Sequence, residues 1–172
     1  FRLGVFFRDR ILGNVDDPQL ARWRPEEKEI LLGSRIPQGE AKVFSVHVPL
    51  GGQPRELKEM RLLAARHGAD ALLVVSAAQE TYWSANGLSA TYLLLLPTLF
   101  VRGNDLGAYV LSKASLWDVK NEYLYLNAEA EAEREVKRAA IAPREKELLL
   151  ETRRESITRL KEEIERQLSA MI

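Results

Sequence analysis

Apolar residues recur along this chain in two rhythms, one of three and four and one of two, and the sharpest change of rhythm lies between Arg55 and Ser76. Leu57, Met60, Leu63, Ala64 and His67 fall at steps of three and four, which lines one face of a helix. Gly68 follows the last periodic residue, where a left-handed C-terminal cap favours a residue without Cβ. Asp70 is a loop residue able to bond nearby backbone. Ala71, Leu72, Leu73, Val74 and Val75 then run without polar alternation. A strand covered on both faces has this pattern, so 71–75 is expected in the middle of a sheet with helices on at least one side.

Upstream, Leu3 to Phe7 is a short apolar run and reads as the first strand. Residues 8–24 carry Gly13, Asn14, Asp16, Asp17 and Pro18 and read as a loop. Pro25 suits the first position of a helix, with Glu26, Glu27 and Glu29 near its positive end. Ile30, Leu31 and Ser34 continue that helix, Gly33 weakens it, and Pro37 and Gly39 end it. Ala41 to Leu50 alternates as a second strand. Phe44, Val46, Val48 and Leu50 share one face; Val43, Ser45, His47 and Pro49 share the other. Gly51 and Gly52 make a turn, and Pro54 opens the next helix. Strand, helix and strand in this order form a right-handed parallel unit by default.

Downstream the pattern turns antiparallel. Asn86-Gly87 is a strong hairpin-turn pair, followed by a strand over 89–101 that Pro97 marks as an edge, a bulge or an end. Gly103-Asn104-Asp105 is a second turn and Lys120-Asn121 a third. Between them Ala108, Val110, Ser112, Ala114 and Leu116 oppose Tyr109, Leu111, Lys113, Ser115 and Trp117. Beyond them Leu124, Leu126, Ala128, Ala130 and Ala132 oppose Tyr125, Asn127, Glu129, Glu131 and Glu133. Pro143 begins a last helix to about 171, with Leu149, Ser156, Leu160, Ile164 and Leu168 as a narrow stripe, Ile157 and Met171 beside it, and charge elsewhere. It would be about 40 Å long, so its end is expected to project or to pack on a partner. The expected fold is an α/β sandwich: a mixed sheet with an N-terminal βαβαβ unit, an antiparallel C-terminal meander and a long C-terminal helix. The whole chain, 1–172, reads as one domain, with the helix over 143–171 packed on it.

Composition narrows the function classes. The 172 residues are 46% hydrophobic and 29% charged, enough for one core. Lys and Arg total 25, as do Asp and Glu, so no global charge draws nucleic acid or an anionic membrane. With no cysteine there is no disulfide or thiol chemistry. His47 and His67 are the only histidines. His67 reads as a structural residue of a helical face; His47 lies between two valines without ligand-spaced neighbours, so no metal or cofactor is expected. No nucleophile elbow is present, and Gly51-Gly52 lacks the rest of a phosphate loop. Glu129, Glu131 and Glu133 read as a solvated strand face. The aromatic group Tyr82, Trp83, Tyr92, Tyr109, Trp117, Tyr123 and Tyr125 is the signal that remains. Packing accounts for most of it. An exposed subset, drawn from Tyr82, Trp83, Tyr92, Tyr109, Trp117 and Tyr125, is the expected partner-binding patch.

Three stretches resemble a family. Leu63–Ser76 (LAARHGADALLVVS), Leu111–Glu133 (LSKASLWDVKNEYLYLNAEAEAE) and Ser156–Leu168 (SITRLKEEIERQL) are similar to bacterial envelope lipoproteins of the rhombotarget type. More distant likenesses are the outer-membrane activators of penicillin-binding proteins, the curli secretion channel subunit and the N-terminal domain of the Tol translocation protein. The most family-like pieces are His67-Gly68-Ala69-Asp70-Ala71 and Trp117-Asp118-Val119. The resemblance implies a βαβαβββα domain, a periplasmic place at the outer membrane, and a lipid anchor ahead of Phe1. It also implies binding to envelope proteins rather than catalysis, and it carries no catalytic residue. The alternatives are a self-assembling subunit of an envelope complex and a small-ligand binder using the His47 strand.

Overall fold

The computed structural model describes residues 3–9, 22–32, 41–46, 57–85, 104–138 and 145–170. Their elements follow as β1 (Leu3–Asp9), α1 (Pro25–Leu32), β2 (Ala41–Val46), α2 (Leu57–Arg66), β3 (Ala71–Ala85), β4 (Asn104–Asp118), β5 (Leu124–Arg138) and α3 (Glu145–Ala170). The strands make one sheet in the order β2-β1-β3-β4-β5. β1 runs parallel to β2 and β3, while β3, β4 and β5 are antiparallel. The fold is therefore α/β with a mixed sheet and a long final helix, as the hydropathy pattern predicts.

β3 is the central strand. Leu72 packs with Phe6, Met60, Ala64 and Ala69 on the α2 side. Leu73 and Val75 pack with Val5, Phe7, Ile157 and Leu160 on the α1 and α3 side. The two-sided apolar run thus has the double cover it needs. β1 has the same unbroken pattern, and Val5, Phe6 and Phe7 are fully buried. It slots between β2 and β3, so the strand–helix–strand unit encloses a third strand rather than pairing directly. Burial on both faces draws β1 inward and leaves β2 at the edge. β3 also runs on to Ala85, well beyond the apolar pentapeptide, with β4 paired along its whole length. The expected Asn86-Gly87 hairpin and the strand over 89–101 lie outside the described residues.

Gly68 caps α2 with φ 70°. The Gly68 amide donates to the Ala65 carbonyl at 2.9 Å and the Ala69 amide to that of Ala64 at 3.0 Å, the paired bonds of a Schellman end. That cap corrects one expectation: His67 belongs to the turn and is exposed, not part of the apolar face. The α2 face consists of Met60 and Ala64, with Leu57 and Leu63 half-buried.

α3 crosses β4 and β5 on the opposite face. Its buried surface is broader and more polar than the expected stripe: Leu148, Leu149, Thr152, Arg153, Ser156, Ile157 and Leu160. The Thr152 hydroxyl donates to the Leu148 carbonyl at 2.8 Å, and the Ser156 hydroxyl lies 2.8 Å from that of Ser112. Leu168, expected in the stripe, is exposed. β5 carries one register shift. Leu116 faces Leu126 and Trp117 faces Leu124, so Tyr125 is an extra residue. The bulge moves Leu124 off the face it was expected to share with Leu126 and leaves it exposed.

Candidate functional site

Opposite α3, the meander presents Glu80 and Tyr82 from β3, Tyr109, Leu111 and Lys113 from β4, and Glu129, Glu131 and Glu133 from β5. The ring of Tyr82 lies directly on Gly107, where an added Cβ would fall 2.0 Å from the ring Cζ. With no side chain in the way, the Tyr82 hydroxyl crosses β4 and donates to Glu133 Oε1 at 2.7 Å. Tyr109 sits across from Glu133, and its hydroxyl reaches the diagonal neighbour, Glu131 Oε2, at 2.9 Å. Lys113 Nζ meets Glu129 Oε1 at 2.8 Å. The bond to the Glu133 carboxylate pushes the Tyr82 phenol up to about 12, and that to Glu131 raises Tyr109. Each of these three carboxylates therefore holds a donor. No cluster of three or more metal-ligating side chains occurs among the described residues. Chemically, this face offers two aromatic rings with anchored polar rims.

A second cluster is built at the turn between β4 and β5. Asp118 Oδ1 accepts the Lys120 amide at 2.7 Å and the Asn121 amide at 2.6 Å, and Oδ2 accepts the Tyr125 hydroxyl at 2.7 Å. The Asn121 amide, then the Tyr125 hydroxyl, hold its carboxyl below the ordinary 3.8. Glu122 closes the turn at φ 61°, a conformation rare outside glycine. Buried Arg61 of α2 reaches beneath. Its Nε donates to the Asp118 carbonyl at 3.2 Å, one Nη to the Val119 carbonyl at 2.7 Å, and the other pairs with Glu122. On this braced turn Tyr123, Leu124 and Tyr125 are 64%, 40% and 43% exposed. The rings of Tyr123 and Tyr125 meet edge to face at 5.4 Å.

Of the six residues from which the exposed subset was expected, five are described, and they fall in separate places. Tyr82 and Tyr109, both half-buried, share the face opposite α3. Trp117, half-buried with its indole N–H on Ser115 Oγ at 2.9 Å, and Tyr125 belong to the turn. Trp117 pairs with Leu72, ten positions from Tyr82 on β3, so the two clusters lie about 33 Å apart. Trp83 alternates to the α3 side of the sheet and is exposed there. Tyr92 and His47 lie outside the described residues. Sequence reasoning missed Arg61, whose one signal is its place beside Met60 and four residues after Leu57 on the buried side of α2.

It also missed the pin between α1 and α3. Arg153 and Glu27, both buried, pair at 2.9 Å. Arg153 also reaches Gln79 Oε1 at 3.4 Å and the Arg22 carbonyl at 3.2 Å, and its guanidinium lies 4.9 Å from the Trp23 ring centre. Burial raises the Glu27 carboxyl, opposed by Arg153. A cleft of about 360 Å³ opens beside this pair, lined by both signs of charge, including Arg24, Glu26, Glu147 and Arg154.

No family model matches the chain, and a search of curated proteins returns no match. Solved structures do resemble it. Lipoprotein GNA1162 from Neisseria meningitidis aligns at 14% identity over 80% of this chain and 88% of its own, TM-score 0.39. The PelC dodecamer from Paraburkholderia phytofirmans aligns at 13% over 92% and 83%, TM-score 0.38. The hypothetical protein CT253 from Chlamydia trachomatis aligns at 14% over 94% and 97%, TM-score 0.40. At such values they bear on neither activity nor partner. No described helix is long and apolar enough to cross a membrane.

Proposed function

We propose that this chain is a single α/β domain of a bacterial envelope lipoprotein, periplasmic and held at the outer membrane by an N-terminal lipid, that binds protein partners and performs no catalysis. The resemblance carried by Leu63–Ser76, Leu111–Glu133 and Ser156–Leu168 supplies the compartment. The observation that carries the binding role is the pair Tyr82 and Tyr109, each ring locked by a carboxylate on β5. Rings already immobilised lose little freedom on association, and aromatic residues with polar rims favour interface centres.

Photo-crosslinking in cells tests this in the intact protein. A crosslinkable residue at Tyr82 or Tyr109 is expected to yield a discrete protein adduct. The same residue at Leu62, exposed on α2, is expected to yield none. Adducts at Leu62 alone, or none at any position, would overturn the assignment. Among the described strands β5 ends the sheet, and that edge favours a second reading, self-assembly by strand addition. Light scattering that finds a monomer at every concentration removes it.

A further inference from the structure

We infer that the C-terminal half of α3 is a latch on the β5 edge. Arg159 and Gln167 occupy the two carbonyls through which the β5 of a second copy of this chain would join the sheet, and lifting those turns lets two copies pair β5 to β5. The inference rests on the strand-addition reading and adds its register and its control.

The hairpin fixes which way each backbone group of β5 points. The Asp118 amide donates to the Tyr123 carbonyl at 2.8 Å, toward β5, and the Val119 amide donates to the Asp70 carbonyl at 3.1 Å, toward β3. Successive residues of a strand point opposite ways, so the even residues of β4 face β5. Leu116 stands opposite Leu126, so the even residues of β5 face back to β4 and the odd ones face off the sheet. Two of those outward carbonyls are taken by α3. The Glu131 carbonyl accepts Arg159 Nη1 at 2.9 Å, and the Asn127 carbonyl accepts Gln167 Nε2 at 3.1 Å. Eight helical residues and four strand residues span nearly equal lengths, about 12 and 14 Å, so both caps fit at once.

Charge selects the register in which a second β5 can pair, antiparallel about a two-fold axis normal to the sheet. Centred on Glu131, pairing sets Glu129 opposite Glu133 and Glu131 opposite its own copy, a run of like charges. Centred on Glu135, it overlaps less of the strand, and the like pair at the axis has only Gly107 beside it on β4. Centred on Glu129, it sets Asn127 opposite Glu131, and the single like pair is offset because Lys113 Nζ lies 2.8 Å from Glu129 Oε1 in each copy. Opposed outward residues exchange N–H and C=O, so this register needs the Asn127 and Glu131 carbonyls that Gln167 and Arg159 cap. The latch is lightly seated. The buried residues of α3 end at Leu160; beyond it Ile164 is half-buried and Leu168 is 39% exposed. Such a segment opens at less cost than the whole fold.

Sedimentation velocity over a concentration series tests this on the whole chain. The unaltered protein is expected to dimerise only at high concentration. Arg159→Ala with Gln167→Ala is expected to lower the dissociation constant about tenfold or more, because opening no longer limits pairing. Ile164→Asp is expected to act in the same direction by unseating the helix end, with circular dichroism otherwise unchanged. Arg166→Ala, which removes bonds to Glu163 within α3 only, is expected to change nothing. The chain has no cysteine, so a single Glu129→Cys in the uncapped protein is expected to give a disulfide-linked dimer on mild oxidation, and Glu135→Cys none. Dimers whose dissociation constant is unmoved by uncapping, or that link through position 135, overturn the latch while the strand-addition reading stands. Monomers at every concentration for all these proteins remove both.

Discussion

Tyr82 owes its place to a residue it covers, since any side chain at Gly107 would occupy the space of its ring. Gly107→Ala is expected to cost about 1–3 kcal/mol in chemical denaturation through overpacking. It should also detach the hydroxyl from Glu133. Glu133→Gln tests the electrostatics alone. Tyr82 ionises at about 12 because its proton is shared with a carboxylate, and without that charge its titration is expected to fall toward 10, read by ultraviolet difference absorbance. The native phenol keeps its proton where the unfolded one has lost it, so its contribution to stability is complete below pH 10 and fades as pH rises toward 12. Arg61 is the other decisive residue. Arg61→Met leaves the Asp118 and Val119 carbonyls without their charged donor, at an expected cost of about 2–3 kcal/mol and with faster amide exchange through the turn. The Gly107 contact was not legible from sequence, because register alone brings Tyr82 over that position. Arg61 was illegible because an arginine one step from Met60 reads as solvated until a turn 57 residues away arrives above it.

At the scale of elements, the unit from α2 into β3 was the most legible part. Helix period, glycine stop and apolar run are each local, and each is seen in the structure. Gly68→Ala is expected to cost about 1–2 kcal/mol in thermal unfolding, since alanine resists a φ of 70°. The junction of α1 and α3 was not legible. Arg153 lies in a run of charge, and only packing shows that it is buried against Glu27, Gln79 and Trp23. Arg153→Met strands a buried carboxylate and is expected to cost about 3–5 kcal/mol; adding Glu27→Leu should recover most of it, as a double-mutant cycle would show. The β5 bulge belongs here too. Strict alternation predicts Leu124 beside Leu126, and a single inserted residue instead turns it outward next to Tyr123 and Tyr125.

Across the whole molecule, half-buried surface carboxylates shape the acid limb of stability. Arg166 and then Gln167 lower Glu163 to about 2, Arg134 lowers Glu155, and the turn amides lower Asp118. Each contributes stability above its unfolded value, near 4, that is lost as pH falls through the folded one, so denaturant midpoints are expected to decline from about pH 4 toward 2. Buried Glu27 works in the opposite sense: its raised carboxyl contributes below the unfolded value and loses that contribution as pH rises through the folded one. By itself the sequence determined the α/β class, the central place of 71–75, the alternation of the meander and the cap at Gly68. Those features depend on the spacing of neighbouring residues along one element, which any reader of the chain can measure. Only the tertiary structure decided that β1 lies between β2 and β3, that Tyr82 and Tyr109 share a face while Trp83 does not, and that Tyr123, Leu124 and Tyr125 stand exposed on a turn braced by Arg61. Each of these depends on strand order, register and a bulge, and these are set by contacts between residues far apart in the chain, whose energies no local pattern records.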